Sequence, residues 1–452
     1  MNNRLPYEIL VQIFSYAAVP DNCVPKTSVI NHDGIDYNQS PLSLTRVCRF
    51  WNQVAVSLPA LWSHVDVYGC TDPTLEICLR ISRHTRLLLQ HSEGTAIHLH
   101  FHDPPGPYDP ERSQYIEPLR PYFPFVSSLK FSPNYSDEFV QEILDIYRGD
   151  SGPTSLKCLE LRNTRPADRE TGIRTCLYTI KPVRLPHGLV SLRLNWGHCS
   201  FCIYLDTLVQ ALLHCPQLHT LQINCLNFFD SEPPPMATIP LHYLRVLDLT
   251  SSYGSSILML LSVISTGRSE LALGLGFGAH NHEMIEAART FLHQSRVYKL
   301  ILGWGIFGLL NNFPTTLALQ DLVVDLRCGN YKTLNSLIHP AGWASTQIAV
   351  KRLYIIDRHK IPNRRERDIV RGLINVCNPS EVVFIGFAVM GAPPFESWYD
   401  YPGRDEENMY EWLLHRVDKV VVDFPREFAR NPGSSWNPLA VELAQELPRH
   451  VI

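Results

Sequence analysis

The sequence predicts an α/β chain: a short helical N-terminal segment followed by an irregular α/β solenoid with parallel strands. Three observations predict it. A small apolar-x-x-apolar-x-apolar unit recurs along most of the chain. Amphipathic helical stretches lie between its copies. Before the first copy, two segments carry apolar residues at helical spacing.

The chain has 452 residues, 45% apolar and 19% charged, with net charge −4 and pI about 6.5. That balance allows a large core and excludes global disorder. The densest basic run, Arg364, Arg365 and Arg367, is broken by Glu366, so no nucleic-acid partner is expected. Twelve cysteines are scattered singly, unlike a disulfide framework. MNNRLPYEIL lacks the apolar core of a signal peptide, and ILMLLSVI (257–264) is too short for a bilayer span of roughly 18 residues. The expectation is a soluble protein of the cytoplasm, the nucleus or both, with reduced thiols.

The first helix begins near Leu5. Pro6 suits a first turn, where a missing N–H costs nothing, and Glu8 meets the positive end of the helix dipole. Ile9, Leu10, Ile13, Phe14 and Ala17 then form one apolar face. Residues 19–40 are a polar insert with Pro20, Pro25 and Gly34. A second helix is expected from Pro41, capped by Ser40, to about Ser57, with Leu44, Val47, Cys48, Trp51, Val54, Ala55 and Leu58 on one face. Two such helices cannot cover their own apolar surface. The rest of the chain or another protein must do so.

LPYEILVQIF (5–14) and LTRVCRFW (44–51) resemble the two halves of the F-box motif, Leu-Pro-x-Glu-Ile/Leu-Leu-x-x-Ile-Phe and Leu-x-x-Val-Cys-Lys/Arg-x-Trp. LPALW (58–62) is similar to the large F-box families of mushroom-forming fungi. The long insert departs from the usual short link. The resemblance implies an F-box-like helical domain over 1–62 that docks on a Skp-type adaptor and, through it, a cullin–RING ubiquitin ligase. The docking residues it implies are Leu5, Pro6, Ile9, Leu10, Ile13, Phe14, Leu44, Val47, Cys48 and Trp51, with Arg49 at the rim.

Residues 63–452 hold about twelve copies of the repeat, centred on residues 97, 129, 159, 192, 221, 247, 271, 300, 322, 353, 383 and 420, a mean period of about 29. Helical patterns at 137–147, 205–216, 283–294, 366–379 and 407–417 fall between them. Strand, helix, strand in series implies parallel pairing with crossovers, and single units must stack to bury their faces. The region resembles a leucine-rich-repeat horseshoe, irregular because Thr164, Gly197, Leu226 and Ser252 replace the usual asparagine. The Pro-, Tyr- and Asp-rich insertions 103–124 and 391–407 are expected surface loops.

Chemical motifs are sparse. In HLHFHD (98–103), alternation sends His98, His100 and His102 to one strand face and Ile97, Leu99 and Phe101 to the core. Side chains spaced along one strand fan apart, so a solvent face is the expectation rather than zinc. Cys199 and Cys202 form a C-x-x-C without the second pair a zinc site needs. GLGFGAHN (274–281) fits a turn better than a nucleotide loop, because Ala279 stands where a third glycine belongs. HNHE (280–283) lacks the histidine spacing of a zinc protease, and RHKIPNRRER (358–367) reads as a solvated loop. No catalytic residue, cofactor or metal is expected. The expectation is a substrate-recognition subunit of a ubiquitin ligase that binds its target on the solenoid and is not itself an enzyme. A repeat scaffold without ligase assembly is the alternative.

Overall fold

The computed structural model describes residues 5–18, 41–68, 89–92, 95–102, 116–131, 137–147, 155–162, 185–195, 201–203, 205–224, 226–228, 238–250, 254–276, 282–303, 309, 318–326, 348–356, 364–385, 412–413 and 415–423. They fall into two compact units. The first comprises residues 1–166, 183–194 and 446–452, and the second residues 167–182 and 195–445.

In the first unit, helix α1 (Tyr7–Ala18) is followed by α2 (Pro41–Thr45), α3 (Arg49–Val56) and a 3-10 turn (Pro59–Trp62). Strands β1 (His64–Tyr68), β2 (Ile97–His102), β3 (Val126–Phe131), β4 (Cys158–Arg162) and β5 (Ser191–Asn195, which ends at the unit's edge) come next, neighbours in that order. Register sets Val65 beside Leu99, Leu99 beside Leu129 and Leu129 beside Leu159. All four side chains are buried. Phe101 stacks on Phe131 at 5.1 Å and meets Phe139 of helix α4 (Asp137–Ile146) edge-on. The 3-10 helix Glu117–Phe125 leads into β3, and Tyr147 donates its hydroxyl to the Phe123 carbonyl at 3.2 Å.

The second unit repeats the plan. Strands β6 (Phe201–Ile203) and β8 (Leu226–Phe228) form a parallel pair, as do β9 (Ile239–Leu241) and β11 (Ile264–Thr266). The main ladder runs β7 (Thr220–Asn224), β10 (Val246–Leu249), β12 (Leu271–Leu275), β13 (Val297–Leu302), β14 (Ala318–Asp325), β15 (Ala349–Ile356), β16 (Glu381–Ile385) and β17 (Lys419–Asp423). Neighbouring strands of this ladder pair in parallel, and one row crosses all eight: Leu221, Leu247, Leu273, Leu300, Leu322, Leu353, Val382 and Val420.

Helices supply the crossovers and the cover. Helix α5 (Leu205–Leu213) buries Leu208, Val209 and Leu212. Helix α6 (Gly254–Val263) packs on α7 (His282–Gln294), and α8 (Arg364–Cys377) buries Ile369, Leu373 and Ile374. At the end of β12 the backbones nearly touch. A Cβ on Gly276 would lie 1.8 Å from the Thr250 carbonyl oxygen, so only glycine fits.

A polar row lies one residue out of phase with the leucines. Lys299, Asp321, Arg352, Glu381 and Lys419 sit side by side in register, with charge alternating at every strand. Arg352 donates through Nε and Nη2 to the two Asp321 oxygens at 2.6 and 3.0 Å, and Lys419 Nζ to Glu381 Oε1 at 2.8 Å. Asp248, fully buried, accepts from Gln222 Nε2 and from the Thr250 amide and hydroxyl. Those three donors offset the cost of taking a carboxylate out of water.

Several sequence expectations are corrected. The helix expected from Pro41 to Ser57 is two helices, because the chain turns at Arg46–Val47 and restarts with Cys48 extended as the N-cap of α3. All twelve repeat segments are strands, but β1 precedes them and was not anticipated. Three repeat centres shift to Leu99, Leu273 and Val382, since ladder register rather than the local pattern fixes which residues line up in one row. Residues 62 and 63, on either side of the expected domain boundary, both belong to the first unit. The insert 19–40, residues 391–407 and most of the helix expected at 407–417 lie outside the described residues.

Removing Asp321 takes away both carboxylate oxygens to which Arg352 donates. Asp321→Ala is expected to lower unfolding free energy by about 2–4 kcal/mol, less than for a fully buried pair because the Arg352 side chain keeps 31% exposure. Lys419→Ala, at a side chain 63% exposed, should cost under about 1 kcal/mol. Urea unfolding of both variants checks the order; equal losses would contradict it.

Candidate functional site

Helix α1 carries two apolar stripes about 100° apart, as adjacent helical residues must be. Leu10 and Phe14, at i and i+4, are fully buried. Phe14 meets Trp51 of α3 edge-to-face at 5.2 Å, and α1 packs on both α3 and the 3-10 turn. Ile9 and Ile13, one residue earlier in each case, stay 40% and 43% exposed, and Leu5 just ahead of the helix is 45% exposed. The single face expected from the sequence is therefore split: half of it makes the core and half meets solvent.

The second helical segment divides in the same way. Val54 and Ala55 are buried, Leu44 and Trp51 half-buried, and Val47 exposed at 57%. Pro6 and Arg49 are exposed as well. Cys48 is exposed and spends its sulfur on the helix, accepting from the Trp51 amide at 3.5 Å. Tyr7 Oη and Ser57 Oγ, 3.2 Å apart, tie the start of α1 to the end of α3. Among the described residues nine large apolar side chains are exposed, and six of them (Leu5, Tyr7, Ile9, Ile13, Val47 and Val56) lie in this short segment. Such concentration marks a surface that another molecule covers more readily than scattered exposure does.

Sequence reasoning gave no packing role to Trp62, the largest fully buried side chain among the described residues. Its indole Nε1 donates to the Ala55 carbonyl at 2.7 Å, and its ring meets His91 at 4.9 Å. The bond joins the end of α3 to the turn that leads into β1. Its sequence signal was the LPALW segment (58–62), which shows a resemblance but not the packing role.

Elsewhere the polar sheet face of the first unit gathers titratable groups. Asp66, His100, Lys130 and Glu160 sit side by side across β1–β4, and Lys130 Nζ is 3.6 Å from Glu160 Oε2. His100 is buried rather than on an open solvent face, and His98 is half-buried. Burial, with His64 and His100 close by, pushes the His98 imidazole down to about 4, so it is neutral at pH 7. The side chains of His102 and Cys202, Cys199 itself, and residues 277–281 and 358–363 lie outside the described residues. Arg364–Arg367 open helix α8, and His282–Glu283 open α7.

An F-box-like family model matches residues 2–68, which spans α1 through β1. No curated protein matches the chain. No helix among the described residues is long and apolar enough to cross a membrane.

The cysteines report this geometry directly. Cys48 is exposed, whereas Cys215 and Cys377 are buried and burial pushes both thiols up to about 12. At pH 8 a thiol of that kind is thiolate at a level on the order of 1 in 10⁴. Alkylation of the native chain, read by peptide mass, should modify Cys48 within minutes and Cys215 and Cys377 only in denaturant. Native labelling of the buried pair at the rate of Cys48 would contradict the packing.

Proposed function

We propose that the chain is a substrate-recognition subunit of a Skp–cullin–F-box ubiquitin ligase, with the F-box-like segment docking on a Skp-type adaptor. The observation that carries this is the second apolar stripe of α1, left open on the segment that the F-box-like model matches. The contact residues in this reading are Leu5, Pro6, Ile9, Ile13 and Val47, joined by Leu44, Cys48 and Trp51, which the structure leaves at least partly exposed. Leu10 and Phe14 belong to the same motif but act from within, holding α1 against α3 so that the outer stripe is presented.

The parallel-stranded remainder, in this reading an irregular leucine-rich-repeat-like solenoid, binds the target protein. Its ladder gives a long polar row on one face, and its loops supply variable contacts. Ubiquitin transfer then belongs to other subunits, and the chain itself needs no catalytic group or cofactor. It acts in the cytoplasm or nucleus, and LPALW (58–62) favours the mushroom-type fungal F-box group.

A pull-down with a purified Skp-type adaptor tests the reading. The intact chain should bind. Ile9→Glu and Val47→Glu, at exposed positions, should weaken binding at least tenfold, about 1.4 kcal/mol, with unchanged circular dichroism. Phe14→Ala should instead lower stability by about 3–5 kcal/mol. An intact, folded chain that binds no adaptor would favour a repeat scaffold that works outside any ligase.

A further inference from the structure

We propose that His64, Asp66 and His100 form a binding site for a divalent transition-metal ion of the zinc class, held between the first two strands of the sheet. The backbone places them. Alternation puts His64 and Asp66 on one face of β1, and parallel register sets His100 of β2 directly beside Asp66. Among the described residues this is the only group of three or more His, Cys, Asp or Glu whose donor atoms converge, all within 4.8 Å of one another.

Two of the three donor spacings are those of ligands around an ion, and the third lies within 4.8 Å. His64 Nε2 lies 3.6 Å from Asp66 Oδ1, and His100 Nδ1 lies 3.5 Å from the same oxygen. Both distances exceed the roughly 2.7–3.2 Å of a nitrogen–oxygen hydrogen bond. They match the edge of about 3.3–3.6 Å between two ligands that each sit about 2.0–2.2 Å from a tetrahedral centre. The imidazoles meet edge-to-face at 4.2 Å, which turns two ring nitrogens toward one carboxylate.

Two imidazoles and one carboxylate suit zinc and its neighbours rather than magnesium or calcium, which want oxygen throughout. Three protein donors leave a fourth position for water. One wall is closed, with the His100 side chain 4% exposed, and one is open, with Asp66 at 35%. The nearest cation in the row, Lys130, faces Glu160 on its other side. The ion would pin β1 to β2 only two residues after Trp62, joining segments that are about thirty residues apart in the chain. The site does not depend on adaptor docking.

The full chain, stripped of metal and then titrated with Zn²⁺ under equilibrium dialysis, tests this. One saturable equivalent is expected, with a rise in melting temperature as Zn²⁺ increases. Asp66→Asn and His64→Gln should each weaken that equivalent at least about tenfold and abolish the melting shift. Mg²⁺ should produce neither effect. Co²⁺ substitution reads the ligands even if a variant misfolds: four-coordinate visible bands without a thiolate charge-transfer band support the site. A thiolate band, absent saturable binding, or equal affinity in the parent and both folded variants overturns it.

Discussion

Parallel, in-register pairing is the constraint from which the rest follows. When each strand is the start of a similar segment, register sets like positions beside like. In the second unit that yields an unbroken row from Leu221 to Val420 across eight strands, buried from Leu221 to Val382 and half-buried at Val420. Removing one leucine from such a row exposes its two neighbours as well as leaving a cavity, so the cost is shared along the ladder. The same rule acts on the opposite phase. A lysine at one position faces whatever its neighbour carries there, and like charges directly opposite would repel. The alternation Lys299, Asp321, Arg352, Glu381, Lys419 is the arrangement that lets five charged residues share one row.

The first unit obeys the same rule with different side chains, and there it gathers ionisable groups. Its row of Val65, Leu99, Leu129 and Leu159 is apolar, and the adjacent row of Asp66, His100, Lys130 and Glu160 is ionisable. The order matters. A carboxylate at each end flanks two nitrogen bases, so every neighbouring contact except the central one joins an acid to a base. Burial of Lys130 is tolerable because the Glu160 carboxylate lies 3.6 Å away, within about the range of direct Coulomb attraction, and His100 has the Asp66 carboxylate beside it at 3.5 Å.

Much of this was legible in the sequence. The repeat segments could be read because each has a strand-length apolar alternation and five of them are followed by a helical pattern, two signals that agree. Where the local pattern was ambiguous, register decided: LALGL carries leucines at 271, 273 and 275 on one face, so 271 and 273 could not be told apart until Leu273 was seen between Leu247 and Leu300. HVDVY, the β1 segment, is too short and polar to stand out. The cluster of His64, Asp66 and His100 was hidden for a plainer reason. Only His100 lies in a conspicuous motif, and its true neighbours are on another strand, brought alongside by pairing that no local window contains. The helical pair was legible in kind and wrong in detail, because periodicity shows an apolar face but not where a chain turns; Cys48, read as a face residue, is the cap that starts α3.

The F-box-like match ends at Tyr68 rather than at the last helix, and the packing explains why that boundary is physical. Helices of 12, 5 and 8 residues cannot close a core by themselves. Trp62 closes it from the far side, fully buried, its indole bonded to the Ala55 carbonyl. Two residues later the chain is already in β1, and the Ser63 carbonyl accepts from the His98 amide at 2.7 Å, the first bond of the sheet. The helical segment is thus completed by the strand that follows it. Its inner stripe is satisfied within the chain, while the outer stripe of Leu5, Ile9 and Ile13 stays open with Val47 and Val56 nearby in the segment. A fold that seals one side of α1 through α3 and the Trp62 turn can present the other side without collapsing onto it, and that is the mechanical requirement of the proposed docking.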